Sequence, residues 1–205
     1  MTSLSSRMVT GSRAVTVPNG VDLDRFRPAA RDPEPRHLLF IGSFAHRPNV
    51  LAVEFFLNQV WPLLRACSLH IIAGAHHERF PVAARLAQPD VEVEGFVGDV
   101  RPAYERAAVV LAPLVASAGT NIKVLEAMAM GKAVVSTPAG VNGLDLAPGE
   151  DFLLVQTAGE MAAAIERLLT SGAGRREIEA AARRRVERDY GWDAVARKQA
   201  ALYSE

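Results

Sequence analysis

Short apolar runs alternate along the chain with segments whose apolar residues recur every three or four positions. Most of the runs are nearly continuous in Val, Ile and Leu, which is typical of parallel strands covered by helices on both faces. One run, VEVEGF, alternates apolar and acidic residues and is therefore expected nearer the edge of a sheet. The six predicted strands are HLLFIG (37–42), LHIIAG (69–74), VEVEGF (91–96), AAVVLAP (107–113), AVVST (133–137) and FLLVQ (152–156).

The segments between and after these strands have helical patterns. In the segment 49–65, Val50, Val53, Val60 and Leu64 lie near one face at the spacing of a buried stripe. Pro62 lacks a backbone donor, which predicts that this helix kinks or ends near Val60. The other predicted helices are 122–130, ended by Gly131; 161–169, opened by a capping box of Thr157 and Glu160; 175–188; and 193–203.

Alternation of strand and helix predicts right-handed crossovers and a doubly wound sheet. For about six strands the usual order is 3-2-1-4-5-6, and ligands bind beyond the carboxyl ends of strands 1 and 4, where the order reverses. The loops 42–47 and 113–121 follow those two strands. The expected fold class is therefore α/β, with a single Rossmann-like, doubly wound parallel sheet. We place it at residues 37–190, after a Pro-rich lead-in (1–36) and before a closing helix (191–205).

Composition narrows the classes of function. At 205 residues, one α/β domain is the simplest expectation, and 23 basic against 23 acidic residues provide no general field to attract nucleic acid. The single cysteine, Cys67, excludes an internal disulfide. No apolar run approaches the roughly 20 residues that span a bilayer, and the polar N-terminus has no secretory h-region. We expect a cytoplasmic protein, with peripheral attachment to the inner face of the membrane left open.

The polar residues before the helix at 122–130 form a candidate anion site. A helix N-terminus exposes unpaired N–H groups and favours negative charge. Gly119 allows close approach of a ligand, and Lys123 adds a positive charge. Either Thr120 or Asn121 can cap the helix. Ordinary capping residues and a surface lysine would produce the same pattern, but the expected position at the crevice favours a phosphate site.

Three more residues are expected near this crevice. Glu126 lies one turn into the helix between apolar neighbours, where a carboxylate can accept hydrogen bonds from ribose hydroxyls, as in other nucleotide folds. The alternative is an exposed glutamate that balances the helix dipole. His46 and Arg47 follow the first strand, and an arginine there can bind a phosphate through two hydrogen bonds.

Other polar clusters support weaker hypotheses. We assign no metal to His76-His77-Glu78, because adjacent histidines on a strand point to opposite faces. The basic run 183–185 is interpreted as solvated helix surface, since acidic residues share its segment. The sequence contains no P-loop motif and no convincing Ser-His-Asp or Cys-His arrangement.

Several motifs, in a fixed order, resemble those of one family, the C-terminal half of glycosyltransferase family 4. They extend from about Val15 to the C-terminus: VPNGVDLDRFRP, GSFAHRPN, GFVGDVRPAYERAAVVLAP, GTNIKVLEAMAMGKAVVSTPAGVNGL and YGWDAVARKQAALY. The resemblance implies a retaining enzyme of the GT-B fold, in which two Rossmann-like domains face a cleft and the C-terminal one holds a UDP- or GDP-linked sugar. It also implies transfer without a cofactor or metal, in bacterial polysaccharide or glycoconjugate synthesis.

The resemblance assigns roles to individual residues. Glu126 matches the second glutamate of the family's E-x7-E motif, which binds the ribose hydroxyls. The residues before it match the stretch that meets the sugar and phosphate, and Phe96 with Val97 matches the segment that lines the base. The expected substrate-binding residues are Gly42, Ser43, His46, Gly74, Phe96, Val97, Ala118, Gly119, Thr120, Asn121 and Glu126, with Arg47 and Lys123 as catalytic residues and no metal ligands.

Three departures from the family pattern bear on function. Ala118 stands where the first glutamate of E-x7-E is expected, as in one branch of the family with a G-T-x-x-K pattern. Ser43 stands where the family has a basic residue, so Arg47 or Lys123 is expected to take that role. The family's N-terminal domain is missing, so we expect either a separate N-terminal acceptor-binding domain or a homo-oligomer formed through the closing helix.

The leading hypothesis is the nucleotide-sugar-binding half of a retaining glycosyltransferase, inactive in transfer as this chain alone. One alternative is a degenerate, non-catalytic nucleotide-binding or interaction module, which Ala118 favours. Another is a nucleotide-sugar epimerase, which the helix at 122–130 fits less well. A nucleotide sugar is the expected partner in the leading hypothesis, whereas the base, the sugar and the acceptor stay open.

Overall fold

The computed structural model describes residues 17–116 and 119–203. Its strands are β1 (His37–Ile41), β2 (Ser68–Ile72), β3 (Val91–Glu94), β4 (Val109–Ala112), β5 (Ala133–Ser136) and β6 (Leu153–Leu154). They form one parallel sheet in the order β3-β2-β1-β4-β5-β6, which confirms the predicted order. β3 is an edge strand, as its alternating pattern predicts.

The helices of the described ranges are α1 (Arg47–Phe55), α2 (Arg101–Arg106), α3 (Ile122–Ala129), α4 (Ala158–Thr170), α5 (Gly172–Asp189) and α6 (Trp192–Leu202). α1 continues as a π-helical turn to Val60 and then as a 3-10 turn that contains Pro62, so the predicted end near Val60 is confirmed. The Thr157 hydroxyl accepts the N–H of Glu160 at the start of α4, as the capping box predicts. The sequence analysis missed α2, because six residues are too few for a helical repeat to show.

The two faces of the sheet bury separate apolar cores. Neighbouring residues on a strand point to opposite faces, so Phe40 of β1 belongs to the first core and Leu39 to the second. α1 and α4 pack on the first core, whereas α2 and α3 pack on the second. α5 contributes to both, through Ile178 and Ala182 respectively.

The described part of the lead-in packs on the second core. The N–H of Val21, which is buried, donates to the carbonyl oxygen of Tyr190 at 2.8 Å. Phe26 is also buried and meets the ring of Tyr104 edge-on. α6 begins beside this segment, with the Trp192 indole so close to the chain that a Cβ at Gly20 would lie 2.6 Å from it. None of the helices in the described ranges is long and apolar enough to cross a membrane.

Two expectations about charged segments were wrong. The run 183–185 is not wholly solvated, because Arg183 donates to the backbone oxygens of Phe26 and Ala129. Arg185 also pairs with Asp151, which lies outside its own segment. Only the middle arginine of the three is exposed. The His76-His77 pair does not lie in a strand, since His76 has a φ of 58° and His77 begins a 3-10 turn. Local sequence does not specify what packs opposite a helix face or how a loop turns.

Candidate active site

The N-terminus of α3 and the loop after β1 lie side by side. β1 and β4 are neighbours in the sheet, with Leu38 paired to Val109, so the chain leaves both strands at the same edge. Lys123 Nζ then donates to Asn49 Oδ1 at 2.9 Å, and Asn49 Nδ2 donates to the backbone oxygen of Ser43 at 2.9 Å. The first turn of α3 is therefore joined to the loop after β1 through the side chain of Asn49 in α1.

Two glycines allow this close packing. A Cβ at Gly42 would lie 2.6 Å from Cγ of Asn49, and a Cβ at Gly74 would lie 2.7 Å from Oγ of Ser43. Gly74 also has a φ of +79°, a conformation that residues with a Cβ rarely adopt. A side chain at either position would displace Asn49 or Ser43, so the two glycines are required for the packing that holds the loop after β1.

Lys123 carries a charge that its surroundings do not neutralise. Its ammonium lies 4.9 Å from the centroid of the Phe40 ring and hydrogen bonds to the neutral amide of Asn49. No carboxylate of the described residues lies within ion-pair distance of it. Burial lowers the pKa of Lys123 to about 8, with the nearby charge of Glu126 opposing that shift. Near neutral pH the ammonium is therefore charged, partly buried and suited to an anion.

Glu126 is partly buried, and one of its oxygens is occupied. The hydroxyl of Tyr104 lies 3.1 Å from Glu126 Oε2 and 3.1 Å from the carbonyl oxygen of Lys123. Burial raises the pKa of Glu126, and the hydrogen bond from Tyr104 opposes that rise. Tyr104 is fully buried, which fixes the position of its hydroxyl. The carboxylate is thus held in one orientation, and no described residue hydrogen bonds to its other oxygen, Oε1.

None of the described side chains caps the first turn of α3. Asn121 occupies the N-cap position in an extended conformation, but its side chain makes no capping hydrogen bond. Instead, Asn121 Nδ2 donates to the backbone oxygens of Gly140, at 2.9 Å, and Ala139, at 3.3 Å. The expectation that Thr120 or Asn121 caps the helix through its side chain was therefore wrong. Uncapped N–H groups at a helix N-terminus are an anion-binding feature.

The other predicted binding residues border this region to different extents. Phe96 follows β3 and is 80% exposed, and Val97 beside it is partly buried. Gly119 is exposed, whereas Thr120 is partly buried near Gly143, where an added Cβ would lie 3.3 Å from Thr120 Oγ1. The position expected to hold the first glutamate of E-x7-E, Ala118, lies outside the described residues.

His46 and Arg47 stand at the start of α1 with exposed side chains. No hydrogen bond or ion pair joins either side chain to another residue in the described part of the chain. They are therefore unlike Lys123, which is fixed by Asn49 and Phe40. Of the two basic residues predicted to act in catalysis, only Lys123 is positioned by the protein itself.

Sequence analysis missed two residues that organise this site. Asn49 links Lys123 to the loop after β1 across 74 positions of sequence, and Tyr104 reaches Glu126 across 22 positions. Both lie inside motifs that carried the family resemblance, GSFAHRPN and GFVGDVRPAYERAAVVLAP. The motifs alone do not indicate which of their polar residues point toward α3, because that depends on how β1, α2 and α3 pack together.

Comparison with known proteins identifies the family of this chain. Residues 35–171 match the family model described as glycosyl transferases group 1. No curated protein matches the chain. Among solved structures, sucrose-phosphate synthase from Thermosynechococcus elongatus is 24% identical with a TM-score of 0.75, covering 92% of this chain and 51% of that one. The chain thus spans about half the length of that protein.

Two further structures show how much of a larger enzyme this fold represents. Anabaena HepE in complex with UDP-glucose is 15% identical, with a TM-score of 0.77 over 95% of this chain and 59% of that one. The C-terminal domain of the group 1 family protein LpcC from Francisella tularensis is 19% identical, with a TM-score of 0.65 over 84% of this chain and 100% of that domain. By the family match, this chain belongs to the group 1 glycosyl transferases, and its sheet has the Rossmann-like fold of a GT-B C-terminal domain.

Proposed function

We propose that this chain is the nucleotide-sugar-binding half of a retaining glycosyltransferase. The observation that carries the proposal is the junction of α3 with the loop after β1. There, the unneutralised ammonium of Lys123 and the first turn of α3, which no described side chain caps, lie beside the loop after β1 and are joined to it through Asn49. Such a combination of positive charge and a helix N-terminus favours a diphosphate.

The remaining residues can hold the rest of a nucleotide sugar. Glu126 would accept hydrogen bonds from the ribose hydroxyls through its free oxygen, with Tyr104 holding the other. Phe96 and Val97 would line the base, and the exposed Phe96 ring suits stacking against it. The segment 119–121 would meet the sugar. His46 and Arg47 are proposed to close on the donor from the start of α1.

In this mechanism the protein contributes mainly electrostatic stabilisation. As the bond from the anomeric carbon to the diphosphate breaks, negative charge grows on the leaving oxygen, and Lys123 with the α3 amides stabilises it. The acceptor hydroxyl attacks the anomeric carbon from the face that the diphosphate leaves, which retains the configuration, and its proton passes to the departing diphosphate oxygen. We propose that neither a metal nor a cofactor takes part in transfer, and that the acceptor is bound by another domain or chain.

The structure of HepE with UDP-glucose makes UDP the first nucleotide to test, and GDP the second. A sugar-polymer or glycoconjugate pathway at the inner face of a membrane is the proposed setting. A non-catalytic interaction module is the competing function. The two differ in whether the α3 crevice binds nucleotide at all, so a binding measurement separates them.

The test is calorimetric titration of the chain with UDP, GDP and ADP, and with UDP-glucose, alongside nitrogen-15 NMR spectra. We expect saturable binding of UDP or GDP that shifts the amide signals of Gly42, Ser43, Ile122 and Lys123. Amide signals on α6 serve as an internal control and should not move. Absence of saturable binding by any of these nucleotides at millimolar concentration would contradict the proposal and favour the interaction module.

A further inference from the structure

A polar group lies outside the proposed transfer site, on the second face of the sheet at its β2–β3 edge. Alternation along the strands places it there, because Ile71 and Val93 pack on the first core and their strand neighbours must point the other way. The neighbours are His70 on β2 and Glu92 and Glu94 on β3. The parallel register pairs His70 with Glu92 directly, so three potential metal ligands share one small area of the sheet.

His70 is buried without the hydrogen bonds that its ring requires. It is 2% exposed, and neither ring nitrogen has a hydrogen-bond partner among the described residues. The nearest oxygen to Nε2 is Oε2 of Glu94, at 3.6 Å, beyond hydrogen-bond distance. Buried polar atoms are nearly always paired, because an unpaired one loses its water without compensation. The imidazole therefore lacks a partner on the side where the two carboxylates stand.

The geometry suits a metal ion. One nitrogen of His70 and one oxygen each of Glu92 and Glu94 all lie within 4.8 Å of one another. Ligand atoms around a tetrahedral ion with bonds of about 2.0–2.1 Å are roughly 3.4 Å apart. The two carboxylates are about half exposed, with side-chain exposures of 45% and 43%, so they are free to move the remaining distance of roughly 1.4 Å.

The charges around the group also favour a cation. Arg106 pairs with Glu34 at 2.8 Å and with Glu92 at 3.0 Å, so one guanidinium faces three carboxylates when Glu94 is included. Two negative charges are left without a partner. Arg106 does not exclude a metal from Glu92, because each carboxylate oxygen has more than one acceptor site. It would instead orient Glu92, as outer partners of metal ligands commonly do.

The other nearby histidine, His37, does not belong to the group of three ligands, although its Nε2 also has no hydrogen-bond partner among the described residues. The ring of His37 lies 6.0 Å from that of His70, and its Nδ1 is 2.8 Å from the hydroxyl oxygen of Ser68. We therefore propose that His70, Glu92 and Glu94 bind a divalent transition-metal ion of the Zn²⁺ class, which joins β2 to the edge strand β3. The imidazole ligand disfavours Mg²⁺ and Ca²⁺, which prefer oxygen ligands only.

The experiment is a calorimetric titration of the full chain, metal-free and without a histidine tag, with Zn²⁺ alone and with Mg²⁺ alone. We expect one Zn²⁺ per chain, a higher melting temperature with Zn²⁺ because an ion that binds only the folded state stabilises it, and no effect of Mg²⁺. X-ray absorption of the complex should report nitrogen and oxygen ligands at about 2.0–2.2 Å.

Variants test the assignment to these residues. Loss of a residue that only orients a metal ligand weakens metal binding by roughly 10- to 100-fold. Glu94→Gln removes a ligand itself, so it should weaken Zn²⁺ binding at least about tenfold. His70→Ala should abolish Zn²⁺ binding. Should this core variant fail to fold, Glu92→Gln and Glu94→Gln still test the site, because both glutamates are partly exposed. The matched control is His76→Asn, because His76 is exposed and has a φ of 58°, which asparagine tolerates. The Zn²⁺ affinity of this variant should equal that of the wild type.

Two results would overturn the inference. One is the absence of stoichiometric Zn²⁺ binding by the wild-type chain. The other is Zn²⁺ binding that survives both carboxylate substitutions but is lost in His76→Asn, which would place the ion on the surface loop. Neither result bears on nucleotide binding, because none of the three ligands belongs to the proposed transfer site.

Discussion

Partly buried charges occur in two regions of this molecule, and the regions treat them in opposite ways. On α5, Arg185 lies 2.7 Å from Asp151 and 3.3 Å from Asp189, so its charge is balanced by carboxylates of the same chain. At the start of α3, neither Lys123 nor Glu126 forms an ion pair with a described residue: Lys123 donates to a neutral amide beside an aromatic ring, and Glu126 accepts from a tyrosine hydroxyl.

The difference indicates which charges serve folding and which await a ligand. Removing a charge from water is unfavourable, and a well-placed partner offsets that loss. The α5 pair has its partner within the chain, whereas burial shifts the pKa values of Lys123 and Glu126 toward their neutral forms. A bound nucleotide would supply the missing partners, with a phosphate for the Lys123 ammonium and hydroxyl donors for the Glu126 carboxylate.

The largest expected effect comes from Lys123→Met. A hydrogen bond to a charged group contributes about 1.5–3 kcal/mol, so the affinity for UDP should fall roughly 10- to 100-fold, as measured by calorimetry. The free energy of unfolding, from urea titration, should not fall, because the variant no longer buries an unneutralised charge.

The control is Lys132→Met, since Lys132 is also buried but donates to the backbone oxygen of Glu105. Burial lowers the pKa of Lys132 as well, so this variant removes a similarly buried charge outside the site and should keep its UDP affinity. Equal UDP affinities for the wild type and both variants would show that Lys123 is not part of the site.

The converse prediction concerns Arg185→Met. Breaking a buried ion pair from one side costs about 3–5 kcal/mol, and because the Arg185 side chain is 20% exposed we expect a smaller loss, about 2 kcal/mol, in the free energy of unfolding. UDP affinity should stay unchanged. Urea unfolding of the variant measures its stability, and calorimetric titration with UDP measures its affinity. A loss of affinity without a loss of stability would reverse the roles that we assign to the two regions.

A smaller effect is expected from Glu126→Gln. The amide cannot accept two hydroxyl hydrogen bonds as strongly, so UDP affinity should fall about tenfold, and the preference for UDP over its 2′,3′-dideoxy analogue should shrink. Because the folded protein holds the Glu126 proton more tightly than the unfolded chain, its contribution to stability is lost as pH rises through the folded-state pKa. At neutral pH the variant should therefore be no less stable than the wild type.

Glu179→Gln is the matched control for that carboxylate. Burial raises the pKa of Glu179 as well, but this side chain pairs with Arg175 at 3.2 Å and lies on α5. Its substitution should leave both UDP affinity and the preference for ribose unchanged. If both glutamine variants bind UDP and the dideoxy analogue as the wild type does, Glu126 is a structural residue.

The smallest predicted effect is a dependence of UDP binding on pH. With a pKa of about 8 in the free protein, Lys123 is mostly charged at pH 7 and mostly neutral at pH 8.5. Binding of the anion requires the charged form, so the affinity should weaken about fourfold over that interval. Calorimetry of the wild type and of Lys123→Met checks this, since the variant should show no such decline. A steeper decline in the variant would assign the titration to another group.

Much of the fold could be predicted because it depends on local patterns and on chirality. The six apolar runs, the end of α1 near Pro62 and the strand order all follow from periodicity, proline geometry and right-handed crossovers. The same rules place Gly42 and the start of α3 at one edge of the sheet. The polar network at that edge could not be predicted in the same way, because Asn49 and Tyr104 contact α3 from 74 and 22 positions away in the sequence.

The sequence by itself determined the sheet, its order and the segments that meet at its crevice, because each depends on a pattern contained within a short stretch of chain. Only the tertiary structure decided which charges are balanced. Arg183 and Arg185 found partners that their own helix does not supply, and His70 came to face two carboxylates of the next strand. Desolvation and ion pairing depend on what every neighbouring element contributes, and that sum exists only once the elements have packed.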